Sequence, residues 1–114
     1  TSVTLHNFRV YRGLQTLRLE PREGCNVTII AGNNGYGKTS FLTALVWCFY
    51  GRGIQDVERK YKEDVQEAGG YKKYAAAHLN RLARAEGKTA YAVTVALADL
   101  HIPGLPCREL RIHR

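Results

Sequence analysis

The stretch GNNGYGKTS at residues 32–40 restricts the fold of this chain more than any other part of it. Gly32 and Gly37 stand five apart, and Lys38 and Thr39 follow, so each position of the G-x-x-x-x-G-K-[ST] phosphate-binding pattern is filled. Gly32, Gly35 and Gly37 let the backbone wrap with its N–H groups turned inward. Together with the positive end of a following helix, those groups hold a β-phosphate. Lys38 is expected to reach the β- and γ-phosphates, and the Thr39 hydroxyl to coordinate Mg²⁺.

Such a loop is meaningful only between a buried strand and a helix. NVTIIA, residues 26–31, is short, rich in β-branched residues and almost wholly apolar, which predicts a strand buried on both faces. KTSFLTALVWCFY follows as a helix closed by Gly51. Phe41, Leu45 and Cys48 lie on one side of it, Leu42, Val46 and Phe49 lie beside them, and Trp47 and Tyr50 widen the stripe. A helix this apolar is expected to be buried on more than one side.

Upstream, SVTLHNFRV alternates apolar and polar positions and LQTLRLE follows, predicting a hairpin turned near Gly13. Downstream, residues 52–69 are charged and weakly patterned, an exposed loop with helical parts. GGYKKYAAAHLNRLARAEG reads as one helix with Tyr71, Tyr74, His78, Leu79 and Leu82 on a common face. A long strand with Tyr91, Val93, Val95 and Leu97 comes next, HIPGLP breaks it, and CRELRIHR resumes alternation.

At 114 residues the chain is one domain at most. It has no apolar run of the roughly 18 residues a membrane span needs, and no signal-peptide layout, so it reads as intracellular. Cys25, Cys48 and Cys107 form no C-x-x-C pair and are expected to be buried small hydrophobes. The four histidines show no metal-ligand spacing. The chain starts on Thr1 and stops on a strand-like segment, and is read as part of something longer.

Seventeen basic against ten acidic residues give a net charge of +7. Lys72, Lys73, Arg81 and Arg84 lie within residues 69–84, where there is no acid. Two readings stay open for them: a solvated helix face, or a surface facing the phosphates of duplex DNA or RNA.

Hydrolysis needs more than the loop: a carboxylate on a second strand to hold Mg²⁺, and a group that polarises the attacking water. The one lookalike is VTVALAD, ending on Asp99. Leu100 follows where a second acid would stand, and Thr94 suits a half-exposed strand, so Asp99 is assigned to strand-end turn chemistry.

These residues carry a family likeness. LHNFRVYRG, a second strand, and NVTIIAGNNGYGKTSFLTALVWCFYG together resemble the N-terminal segment of the SMC/RecF class of ABC-type ATPases. Asn7-Phe8-Arg9, the Asn34-to-Thr39 loop and the Phe49-Tyr50-Gly51 helix end carry the match. Within the class, the YKKYAAAHLNR helix and the strand after it look most like DndD, the ATPase of bacterial DNA phosphorothioation, and like related phage-defence ATPases.

The resemblance implies an α/β fold, the N-terminal half of a P-loop NTPase head of ABC type, with a central sheet that includes the loop strand and an antiparallel β layer over the central helix. The whole of residues 1–114 would be that lobe. ATP with Mg²⁺ would be bound by Arg9, Gly32, Asn33, Asn34, Gly35, Tyr36, Gly37, Lys38, Thr39 and Ser40, with Arg9 on the phosphates. Tyr36 stands where the class has a small residue, which bears on loop geometry or on a partner packing there.

The resemblance also implies a bacterial cytoplasmic ATPase, active once a C-terminal half and a second head complete it as an ATP-dependent homodimer on DNA. Nuclease or DNA-modification proteins would be its partners. The lobe alone would be marginally stable. Two other readings are a nucleotide switch with little turnover and the nucleotide-binding subunit of a membrane transporter, in which Tyr11 would stack on adenine.

Overall fold

Val3 and Leu5 alternate with Ser2, Thr4 and His6, and this period of two builds the strand β1, Ser2–Phe8, with its apolar side buried. The computed structural model describes residues 1–33, 35, 37–101, 103–104, 106 and 108–114. Strand β2, Tyr11–Arg18, pairs antiparallel with β1; β3, Ala92–Leu97, returns to the other side of β1; and β4, Leu110–His113, pairs with β3. The sheet order is β2-β1-β3-β4, antiparallel at each junction. Val3, Leu5, Val93 and Val95 fill its inner face. On the outer face, Thr4 and Thr16 share a hydrogen bond of 3.2 Å and Thr94 bonds His113 Nδ1 at 2.7 Å.

The helix α1, Lys38–Tyr50, packs on this sheet through Phe41, Ala44, Trp47 and Cys48. Its far end is closed by a cation: Arg114 Nε donates to the carbonyl of Cys48 at 3.1 Å, and the guanidinium lies 5.9 Å from the Trp47 ring centre. Burial on more than one side is not what the structure shows. Leu42, Phe49 and Tyr50 are exposed, because the described sheet covers only one face of the helix.

Residues 52–69 are more ordered than expected. A 3-10 helix, Gly51–Asp56, buries Ile54, and α2, Arg59–Glu67, buries Tyr61 and Val65 at a spacing of four. The single helix expected over 69–87 is two short ones, α3, Tyr71–Ala76, and α4, Arg81–Ala85. Asn80 causes the break, since its Oδ1 accepts from the Ala83 N–H at 3.0 Å as an N-cap. Leu79 makes an isolated bridge to Phe8, so Tyr74 and His78 turn inward while Leu82 is exposed.

The strand expected over 26–31 is not formed. These residues have no regular structure and are exposed, Val27 at 77% and Ile29 at 85%. A strand buried on both faces needs a hydrogen-bonded neighbour, and none of the four described strands pairs with it. The antiparallel layer and its helix are therefore present, whereas the central sheet carrying the loop strand is absent among the described residues. Cys25 beside this stretch is exposed, against expectation, while Cys48 is buried as expected; Cys107 lies outside the described residues.

Candidate nucleotide-binding site

Asn7 and Phe8 end β1 and Arg9 follows it, and each has a separate structural task. Asn7 takes a left-handed backbone, φ 49°, which asparagine tolerates, and its Oδ1 accepts the Gly13 N–H at 2.8 Å to close the hairpin. Phe8 is wholly buried in an aromatic cluster with His78, Trp47 and Tyr91. Arg9, φ 48°, is held from both sides: its N–H donates to the His78 carbonyl at 2.6 Å, and Asn80 Nδ2 donates to its carbonyl at 2.6 Å. A hydrogen bond of 2.8 Å from Asn80 N to Asn7 O completes the attachment.

The turn that follows carries Val10 and Tyr11 onto the phosphate loop. Tyr11 donates its hydroxyl to the carbonyl of Gly37 at 3.0 Å, and burial raises its pKa, which keeps it a donor. Gly37 is the N-cap of α1 in a left-handed conformation, φ 106°, with no side-chain cap and no acid in the first turn. The first N–H groups and the positive end of the helix dipole are thus left for an anion. A crevice of about 330 Å³ opens there, lined by Val10, Gly35, Gly37, Lys38, Thr39 and Ser40.

Lys38 and Thr39 belong to this crevice, with Thr39 exposed and Ser40 buried below it. A Cβ on Gly32 would come within 3.9 Å of the Lys38 stem, so the lysine lies back across the start of the loop. Asn33 is exposed. Asn34 and Tyr36 lie outside the described residues.

Arg9 is placed beside this crevice through Val10, and its side chain is turned to the aromatic cluster. Its Nε donates to His78 Nδ1 at 3.2 Å, and the guanidinium carbon lies 6.0 Å from the Tyr74 ring centre. His78 is 1% exposed, and burial, reinforced by the Arg9 charge, lowers its pKa to about 3. The imidazole is therefore neutral, with its proton on Nε2. That nitrogen and the Tyr74 hydroxyl have no hydrogen-bond partner among the described residues. Tyr91, which donates to the Ala75 carbonyl, has its pKa raised to about 12, first by burial and then by Tyr71.

Lys72, Lys73, Arg81 and Arg84 are exposed on α3 and α4, and Arg84 Nη2 bonds the Ala76 carbonyl at 2.8 Å. The structure joins their helices to the hairpin through residues 78–80. Sequence reasoning does not assign His78 and Asn80 to this site, and offers Tyr11 only as an adenine platform. An asparagine inside an otherwise helical run, Asn80 three residues before Ala83, is the available signal for the cap.

The AAA domain family matches residues 2–99 of this chain. The chain belongs to the AAA domain family. The AAA domain here is also similar to the chromosome partition protein Smc of Mycobacterium leprae (strain TN) and of Mycobacterium tuberculosis (strain ATCC 25618 / H37Rv), with 35% identity over 68 residues in each case. The aligned stretch covers 60% of this chain and 5% of either relative. No solved structure matches it significantly. These findings support an N-terminal segment of SMC class, and no helix of the described chain is long and apolar enough to cross a membrane.

Proposed function

We propose that residues 1–114 form the ATP-binding N-terminal lobe of an SMC-like ATPase that couples ATP binding and hydrolysis to clamping or remodelling of DNA. The observation that carries the reading is the uncapped start of α1 behind a glycine loop, with Lys38 and Thr39 lining its crevice and Tyr11 bracing Gly37. Backbone N–H groups and Lys38 would hold the phosphates of ATP, and Thr39 would hold Mg²⁺, whose charge neutralises the phosphate oxygens when bound.

Among the described residues, the crevice lining contains no carboxylate. This lobe accordingly binds and orients the nucleotide, while the acid that directs water comes from a C-terminal half and a second head, in a homodimer closed by ATP. Asp99 sits at φ 55° after a strand of the antiparallel layer, a turn position that supports leaving it out of the magnesium site. A DndD-type role, in DNA modification, repair or phage defence, is supported by residues 71–81 and the strand after them.

The test is ATP turnover of the protein with and without duplex DNA, beside Lys38→Ala. DNA-stimulated turnover that the variant loses is expected. Nucleotide binding without turnover would replace the ATPase with a switch, and failure to bind ATP would remove the reading. Charge reversal at Lys72, Lys73, Arg81 and Arg84 should weaken DNA binding and flatten its salt dependence. Unchanged binding would make them a solvated face.

A further inference from the structure

We propose that His78 is a positioning residue for Arg9, gripping the guanidinium by Nε alone so that both amino groups stay free for the terminal phosphate of a nucleoside triphosphate in the loop. This deepens the ATP-binding reading and rests on it. The geometry is specific. A guanidinium has five N–H donors in a rigid fork, and the 3.2 Å bond to His78 Nδ1 uses the one on Nε. The Nη groups make no hydrogen bond among the described residues.

The chemistry of the holder matters as much as its position. A carboxylate in the place of His78 would engage two donors side by side and neutralise the charge. An imidazole nitrogen accepts one bond, adds no charge, and leaves the two Nη groups their donors and the guanidinium its full positive charge. His78 has no freedom to turn away. It is 1% exposed, with Phe8 at 4.8 Å, Tyr74 at 4.6 Å, Trp47 at 5.5 Å and Tyr91 at 6.0 Å between ring centres. The lowered pKa keeps it an acceptor at neutral pH.

The backbone is held in the same place. Arg9 has φ 48°, a strained conformation for a long side chain, and such strain persists only where surrounding contacts over-determine it. Here the carbonyl of His78 and the side-chain amide of Asn80 take both polar groups of the Arg9 main chain. Three independent bonds from residues 78–80 thus fix the root and the first nitrogen of one arginine, while the guanidinium rests against the Tyr74 ring with its two Nη groups making no hydrogen bond among the described residues.

The test is titration of the protein with ATP and with ADP, in wild type, Arg9→Ala, His78→Phe, His78→Asn and the Arg9→Ala/His78→Phe double variant. A positioning role predicts that His78→Phe lowers the preference for ATP over ADP about tenfold, as Arg9→Ala does. The double variant should be no worse than either, and His78→Asn, whose Oδ1 can stand in for Nδ1, should restore most of the preference. A residue needed only for packing would weaken both nucleotides alike.

A wild-type ATP:ADP ratio in His78→Phe, or additive losses in the double variant, overturns the proposal while the loop reading stands. If His78→Phe does not fold, Arg9→Ala and His78→Asn decide, because an unchanged ratio in Arg9→Ala also overturns it. Failure of wild type to bind either nucleotide is a different result, and removes the loop reading itself.

Discussion

Tyr11 donates its hydroxyl to the main-chain carbonyl of Gly37 at 3.0 Å, tying the first residue of β2 to the last residue before α1. The hairpin thereby sets the exit angle of the phosphate loop. Tyr11→Phe keeps the ring and removes this one bond. Stability should fall by about 1 kcal/mol in urea titration, and ATP affinity should fall with it. Unchanged affinity would mean the loop holds its shape without the hairpin.

Gly37 and Gly35 separate two reasons for glycine. At Gly37, φ 106°, an added Cβ would come within 2.8 Å of the Tyr11 hydroxyl and 3.1 Å of Val10 Cγ2. At Gly35, φ 88°, it would meet nothing within 4 Å. Gly37→Ala therefore carries steric conflict as well as backbone strain, and Gly35→Ala carries strain alone, about 1–2 kcal/mol. Thermal unfolding should rank Gly37→Ala as the more damaging, and equal losses would count against the close approach of Tyr11 to Gly37.

The antiparallel hairpin and the helix from Lys38 are legible in the sequence because their signals are local: Val3 and Leu5 alternate, and the loop pattern announces its own helix. The roles within Asn7-Phe8-Arg9 are not, since they depend on residues about seventy positions away. The run 71–85 has the propensity for one helix, and a tertiary bond from Asn80 N to Asn7 O outweighs it. NVTIIA is as apolar as a buried strand should be, but periodicity carries no information on whether a neighbouring strand is at hand, and the structure leaves Ile29 in solvent.

That contrast is measurable. Ile29→Ser should change stability by no more than about 0.5 kcal/mol, whereas Ile54→Ala, at a wholly buried position, should cost about 2–5 kcal/mol. A large loss from Ile29→Ser, read by thermal unfolding, would show that residues 26–31 are packed in solution.

His78 makes stability depend on pH. Its ordinary value of 6.5 in the unfolded chain falls to about 3 in the fold, so between the two the unfolded chain holds a proton that the folded chain lacks. The stabilisation is fully present above 6.5 and is lost as pH falls, with a slope of about 1.4 kcal/mol per unit. Urea midpoints at pH 7 and pH 5 should differ accordingly, and the difference should shrink in His78→Asn. A wild-type midpoint that does not move would mean His78 is open to water.

Cys48 and Cys25 should differ in reactivity. Cys48 is buried, and burial raises its thiol pKa despite the Arg114 charge nearby, while Cys25 is exposed. In a Cys107→Ser background, a thiol reagent should modify one cysteine in the native state and a second only after unfolding. Two equal rates would place Cys48 at the surface.

Leu5 pairs with Val93, so β1 and β3 are sheet neighbours even though the phosphate loop, α1 and the helices after it lie between them in the chain. The β1–β2 hairpin can close as soon as it is made, but the second wall against which α1 rests arrives only when the polypeptide has doubled back across that interval. Contacts so distant along the chain form late and slowly. During synthesis α1 therefore stands for some time without the β3 wall behind it, and ribosome-bound chains that stop short of residue 92 should be cut by protease within residues 38–50, where the complete lobe resists.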